Sequence, residues 1–271
     1  MYIHKKELLF PVQVQSPNPA YAAAVLEQFG GANGELKACL QYFVQSFGTK
    51  DPAIRDLLMD ISTEEISHLE MVGSCITQLM GSPDKDPSQF GSQEVEMAAE
   101  GFVMSNAEQM VNTIYQQNST VQKSIILSGH GPHFIDSSGA PFSGNFINSV
   151  GDLLSNLHSN LAAELRARKV YEELHRHVQD KGAREMFDFL IQREESHASL
   201  FQNAIEYAKD MGEKKYSFGD KQYSRMYPDL SEGGDALQMF KLSDNALVIN
   251  GPFRGDPDRV TFGSSNSPYR Q

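Results

Sequence analysis

The chain has 271 residues, 40% hydrophobic and 21% charged, the balance of a folded globular protein rather than a disordered or membrane chain. Its formal net charge of -12 repels nucleic-acid phosphates and anionic lipid, and points to a neutral small molecule or a cation as partner. No apolar run long enough to span a membrane and no export signal is read, and Cys39 and Cys75, the two cysteines, form no metal-ligand pair, so a reducing cytoplasm is expected.

From Pro19 to about Phe47, the residues Ala23, Leu26, Phe29, Leu36, Leu40, Phe43 and Phe47 recur at three- and four-residue spacing. That is the stripe of a core-facing helix, interrupted by GGANG at 30–34. Asp51 as N-cap and Pro52 in the first turn open a second helix. Its stripe runs Ile54, Leu57, Leu58, Ile61, Leu69, Val72, Ile76, Leu79 and ends before GSPDKDP. Residues 81–144 hold a short helical stretch near 94–117 and then LSGHGPHFIDSSGAPFSGN, dense in Gly, Pro and Ser, which reads as a long crossover with little regular structure. A third helix is expected over roughly 145–178, through Phe146, Val150, Leu153, Leu154, Leu157, Leu161, Leu165, Val170 and Leu174. After QDKGA, a turn, a fourth runs to about Met211 through Met186, Phe189, Leu190, Leu200 and Ile205. Two short-loop hairpins joined by one long connection make an all-α, ferritin-like four-helix bundle over residues 1–211. The irregular tail, 212–271, is expected to pack on this body or on a neighbouring subunit.

The chain carries an internal repeat. GELKACLQY at 34–42 aligns with AELRARKVY at 163–171, and TEEISHLEMV at 63–72 and REESHASLFQ at 193–202 each carry Glu-x-x-His with Ser before the His. One gap-free shift of 129 residues relates Glu35 to Glu164, Glu65 to Glu194 and His68 to His197. Within each half the first Glu precedes the His by 33 residues, enough to climb one helix, turn, and return at the same height. Positions i and i+3 of a helix lie about 4.5 Å apart along the axis, so each Glu-x-x-His offers a carboxylate and an imidazole to one point. Two such hairpins face to face bring six polar groups to the bundle centre, and burying them calls for a cation. Carboxylates with two imidazoles suit a pair of manganese or iron ions better than a closed zinc site.

A single Glu-x-x-His on an acidic helix is usually a solvated ion pair, and Glu172 with His175 is such a case. It has no partner at the repeat offset and lies about 12–16 Å along the helix from Glu164. Tyr42 and Tyr171, seven residues beyond Glu35 and Glu164, read equally as hydrogen-bond donors to the site or as plain core aromatics.

GANGELKACLQYF, DISTEEISHLEMV, HFIDSSGAPFSGNF, NLAAELRARKVYE and REESHASLF together resemble the manganese catalase family, the non-haem catalases that include relatives found in spore coats. The resemblance covers most of the chain and implies two manganese ions per chain that disproportionate hydrogen peroxide to water and dioxygen. By it, Glu35, Glu65 and His68 hold one ion, Glu164 and His197 the other, Glu65 bridges them, and Glu194 is an outer carboxylate that shuttles protons. The repeat alone would make Glu194 a second bridge. Some members also bind calcium, for which Asp56, Asp60, Asp229, Ser231 and Gly233 offer oxygens, although Asp56 and Asp60 also suit the start of a helix dipole. Some relatives carry a basic residue immediately before the third-helix glutamate, where this chain has Ala163. Family members assemble as hexamers. The rival readings are a ferritin-like di-iron oxidase or peroxidase with the same ligands, and a structural, spore-coat-type bundle with little turnover; the cytoplasm is the expected location and a spore coat the alternative.

Overall fold

The structure, a computed structural model, describes residues 7–81 and 131–212. The chain forms two compact units, Met1–Glu213 and Lys214–Gln271, and all described residues belong to the first. The helical stretch expected near 94–117, and the tail beyond Gly212 with Asp229, Ser231 and Gly233, lie outside them.

Five helices are described: α1 (Pro19–Gly30), α2 (Glu35–Gly48), α3 (Pro52–Met80), α4 (Leu153–His177) and α5 (Lys181–Asp210). Each of α1, α3, α4 and α5 starts on an Asn or Asp whose side chain accepts from backbone N–H groups of the first turn: Asn18, Asp51, Asp152 and Asp180. These caps satisfy donors that the helix itself leaves unpaired. α1 and α2 together make one side of the bundle, broken at residues 31–34. The break is packed as well as polar: a Cβ at Gly30 would stand 2.5 Å from the Ile135 backbone, and one at Gly34 2.5 Å from the Gln28 carbonyl oxygen. Only glycine admits these approaches, and they fix where α2, and with it Glu35, begins. α2 pairs with α3, and α4 with α5, giving the four-helix bundle expected from the sequence.

The third helix starts at Leu153, not near 145. Phe146 and Val150 imitate the helical period, but Gly151 takes φ +74, Asp152 caps the helix, and Val150 is 71% exposed. The preceding backbone is claimed by another network. Asn148 donates to Gln41 Oε1 and accepts from Gln45 Nε2, and both glutamines bond Asn160 on α4. The fourth helix likewise starts inside the expected turn, at Lys181, because Asp180 caps it. Residues 131–152 otherwise carry one isolated bridge, Ile135 to Pro141, and a single 3-10 turn, Gly144–Phe146.

The stripe read on α2 faces the wrong way. Phe43 and Phe47 are exposed, while Glu35, Lys37, Ala38, Cys39, Gln41, Tyr42, Gln45 and Ser46 are buried. Leu165 on α4 and Leu200 on α5 are also exposed. The bundle therefore has two apolar layers rather than one continuous core. One gathers α1, the end of α3, the end of α4 and the start of α5 around Leu26, Ile76 and Phe187. The other gathers α2, the start of α3, the start of α4 and the end of α5 around Tyr42, Leu58 and Phe201. Between them, in every helix of the bundle, lies a stretch of buried polar residues.

Candidate metal centre

That middle layer holds all six residues of the repeat: Glu35 opening α2, Glu65 and His68 on α3, Glu164 on α4, and Glu194 and His197 on α5. Each is no more than 1% exposed. The inward atoms of Glu65, His68, Glu194 and His197 lie within 4.8 Å of one another. Glu65 stands between the imidazoles, with Oε2 2.9 Å from His68 Nδ1 and Oε1 2.9 Å from His197 Nδ1. Glu35 Oε2 lies 3.6 Å from His68 Nδ1, and Glu164 Oε2 3.6 Å from His197 Nδ1. Both rings therefore turn Nδ1 to the centre, and they stack at 5.5 Å between centroids. Glu194 breaks the symmetry. Its Oε1 reaches His68 Nδ1 at 3.4 Å, and no matching contact to His197 is found among the described residues.

The tyrosines of the repeat act across the bundle. Tyr42 on α2 donates to Glu164 on α4, and Tyr171 on α4 donates to Glu35 on α2. Both are fully buried and pack on Phe201 and Phe187 respectively, so each is a core aromatic that also orients a carboxylate of the other half.

The electrostatics describe a site that carries protons where a cation belongs. Burial, then the charge of Glu65, pushes Glu35 up to about 8. Burial, then the charges of Glu65, Glu35 and Glu164, raises Glu194 well above the usual carboxylate range. Burial would raise Glu65 too, but the two imidazoles hold it well below that range. Burial would lower His68 and His197, yet the surrounding carboxylates raise both above the ordinary imidazole value. Glu35 Oε2, Glu65 Oε1, Glu164 Oε2, both oxygens of Glu194 and His197 Nδ1 have no hydrogen-bond partner among the described residues. Buried polar atoms are seldom left so. A donor set of carboxylates and imidazoles around that point fits divalent metal.

Glu172 and His175 stand apart, in partly exposed pairs with Arg168 and Asp188. Asp56 and Asp60 are exposed on α3. The sequence reading missed Glu64 and Arg193. Glu64 lies behind both imidazoles, 3.5 Å from His68 Nε2 and 3.2 Å from His197 Nε2, and Arg193 bonds it. The repeat held the signal, since the two residues are 129 apart, but an acid aligned with a base does not look like a pair.

The profile of the family described as manganese containing catalase matches residues 1–267. A probable manganese catalase of Clostridium acetobutylicum is 40% identical over 240 residues, 88% of this chain and 94% of the relative. Protein CotJC of Bacillus subtilis is 30% identical, over 80% of this chain and all (100%) of its own. The crystal structure of KatB, a manganese catalase from Anabaena, aligns with a TM-score of 0.65 at 34% identity, covering 87% of this chain and 94% of that one.

Proposed function

The chain belongs to the manganese-containing catalase family, and on that premise we propose that it disproportionates hydrogen peroxide to water and dioxygen at two manganese ions in its buried polar layer. The observation that carries this reading is the convergence of four carboxylates and two imidazoles between two apolar layers, with six of their inward atoms lacking a hydrogen-bond partner among the described residues.

Glu35, Glu65 and His68 would hold one ion and Glu164 with His197 the other, Glu65 serving both because its two oxygens face different imidazoles. When bound, the ions supply a two-electron couple that takes electrons from one peroxide and returns them to the next. Oxidation of the first peroxide to dioxygen sheds two protons, and reduction of the second to two waters consumes two. A dry layer must therefore pass protons through its own groups. Glu194 is the carboxylate assigned to that task, its oxygens being buried and without a hydrogen-bond partner among the described residues. Tyr42 and Tyr171 hold Glu164 and Glu35 in place, and the apolar layers keep bulk water out.

The same proposal takes residues 1–211 as the metal-binding bundle and 212–271 as an appended tail, with a homo-oligomer supported by the exposed face of Phe43, Val44 and Phe47 and its hexameric form taken from the family resemblance. Calcium remains a proposal, for which Asp56 and Asp60 are exposed on α3; the other candidate donors, Asp229, Ser231 and Gly233, lie outside the described residues. A cytoplasmic location, with a spore coat as alternative, suits the free thiols of Cys39 and Cys75. No described helix is long and apolar enough to cross a membrane.

Elemental analysis of natively expressed protein, paired with oxygen evolution on adding peroxide, tests the reading. About two manganese per chain with rapid oxygen release is expected. Two iron without oxygen would favour the di-iron oxidase, and no metal the structural bundle.

A further inference from the structure

Glu64 is not among the metal ligands assigned above, and among the described residues it is the one carboxylate that faces the outer nitrogens of both imidazoles. Its side chain is 28% exposed, with Oε1 toward His68 Nε2 and Oε2 toward His197 Nε2. Neither approach has the alignment of a hydrogen bond, so Glu64 stands as a shared counter-ion rather than as two directed acceptors. Arg193 grips it from the outside, Nε donating to Oε1 at 2.7 Å and Nη2 to Oε2 at 3.3 Å. Such a forked contact fixes a carboxylate in orientation as well as in place. Glu64 and Arg193 each precede a glutamate of the layer, Glu65 and Glu194, and occupy equivalent positions in the two halves. A strict repeat would set like residues side by side at this edge. The chain sets an acid against a base, and only the acid turns to the histidines.

We propose that Glu64, clamped by Arg193, is a positioning residue for both metal-binding histidines at once. Its charge draws the ring proton to Nε2 of each imidazole and leaves the Nδ1 lone pairs facing the centre, where metal is held. One carboxylate serving two rings couples the ligands of the two ions, so its loss weakens both together. The inference rests on the two-manganese reading above.

The test uses the full chain, stripped of metal and titrated with Mn(II), as parent, Glu64→Gln, Glu64→Asp and Arg193→Gln. Free Mn(II) is counted by EPR, and the spectrum of the coupled pair is recorded. Glu64→Gln should unfold at the parent's temperature when metal-free, yet bind both ions about 10- to 100-fold more weakly, with an altered pair spectrum. Glu64→Asp should recover part of the affinity, and Arg193→Gln should fall between parent and Glu64→Gln. Parent-like affinity in Glu64→Gln, or loss at one ion alone, overturns the proposal. Should Glu64→Gln fail to fold, Arg193→Gln decides: weaker binding of both ions supports the clamp, and unchanged binding overturns it. A parent that does not take up two manganese defeats the two-metal reading itself, before any variant is compared, and takes this inference with it.

Discussion

Glu65 and Glu194 are equivalent in the repeat and unequal in the structure. Glu65 touches both imidazoles at 2.9 Å, while Glu194 meets His68 alone, at 3.4 Å. The difference predicts different losses. Glu65→Ala should abolish both manganese binding and oxygen evolution, whereas Glu194→Ala should keep most of its manganese and lose turnover. Metal content by mass spectrometry and initial rates of oxygen release separate the two, and equal metal loss in both would make Glu194 a ligand. The metal-free centre also holds protons that binding must displace, since Glu35 is pushed up to about 8 and both imidazoles are raised. These groups keep their protons near neutrality until a cation replaces them, so manganese affinity should rise with pH and binding should release protons. Calorimetry in two buffers of different ionisation enthalpy reads that release directly.

At the scale of the element, Asp180 and Gly182 join the start of α5 to the N-terminal segment. Asp180 caps the helix through Ala183 N and also accepts from Gln15 N at 2.7 Å. A Cβ at Gly182 would stand 1.6 Å from the Gln13 carbonyl oxygen. Asp180→Ala should cost about 2 kcal/mol, a lost cap together with an orphaned backbone donor. Gly182→Ala should cost about 1–3 kcal/mol, because backbone rather than a side-chain tip must move. Urea unfolding measures both. Manganese content should hold in each variant, since these positions lie about 18–21 Å along the helix from Glu194. The same scale explains the shifted start of the third helix. Phe146 and Val150 keep the helical period, but period alone does not show that Asn148 is committed to Gln41 and Gln45.

Taken whole, the bundle gives up its middle layer to charge and rests on the apolar layers at either end. A cation that binds the folded chain and not the unfolded one adds to stability by mass action. Manganese should therefore raise the thermal midpoint of the parent and leave that of Glu65→Ala unmoved; scanning calorimetry with and without Mn(II) gives the comparison. The outward apolar face of α2 follows from the same arrangement. With Glu35, Gln41 and Gln45 turned inward, Phe43 and Phe47 are left to the outside and Leu36 and Leu40 stay half-buried.

The buried polar layer was legible in the sequence because duplication leaves a fixed offset. Three residue pairs sharing a shift of 129 mark equivalent heights on equivalent helices, whatever the surrounding packing. Helix spacing and loop length likewise specify the four-helix connectivity, since both are local properties of the chain. The tertiary structure alone decided which face of α2 is buried, that Tyr42 and Tyr171 serve the opposite half's carboxylates, that Glu65 meets both imidazoles where Glu194 meets one, and that Glu64 and Arg193 meet behind the histidines. Each of these depends on how two halves close against one another. A repeat read along one chain describes the halves, and only their packing together makes equivalent residues unequal.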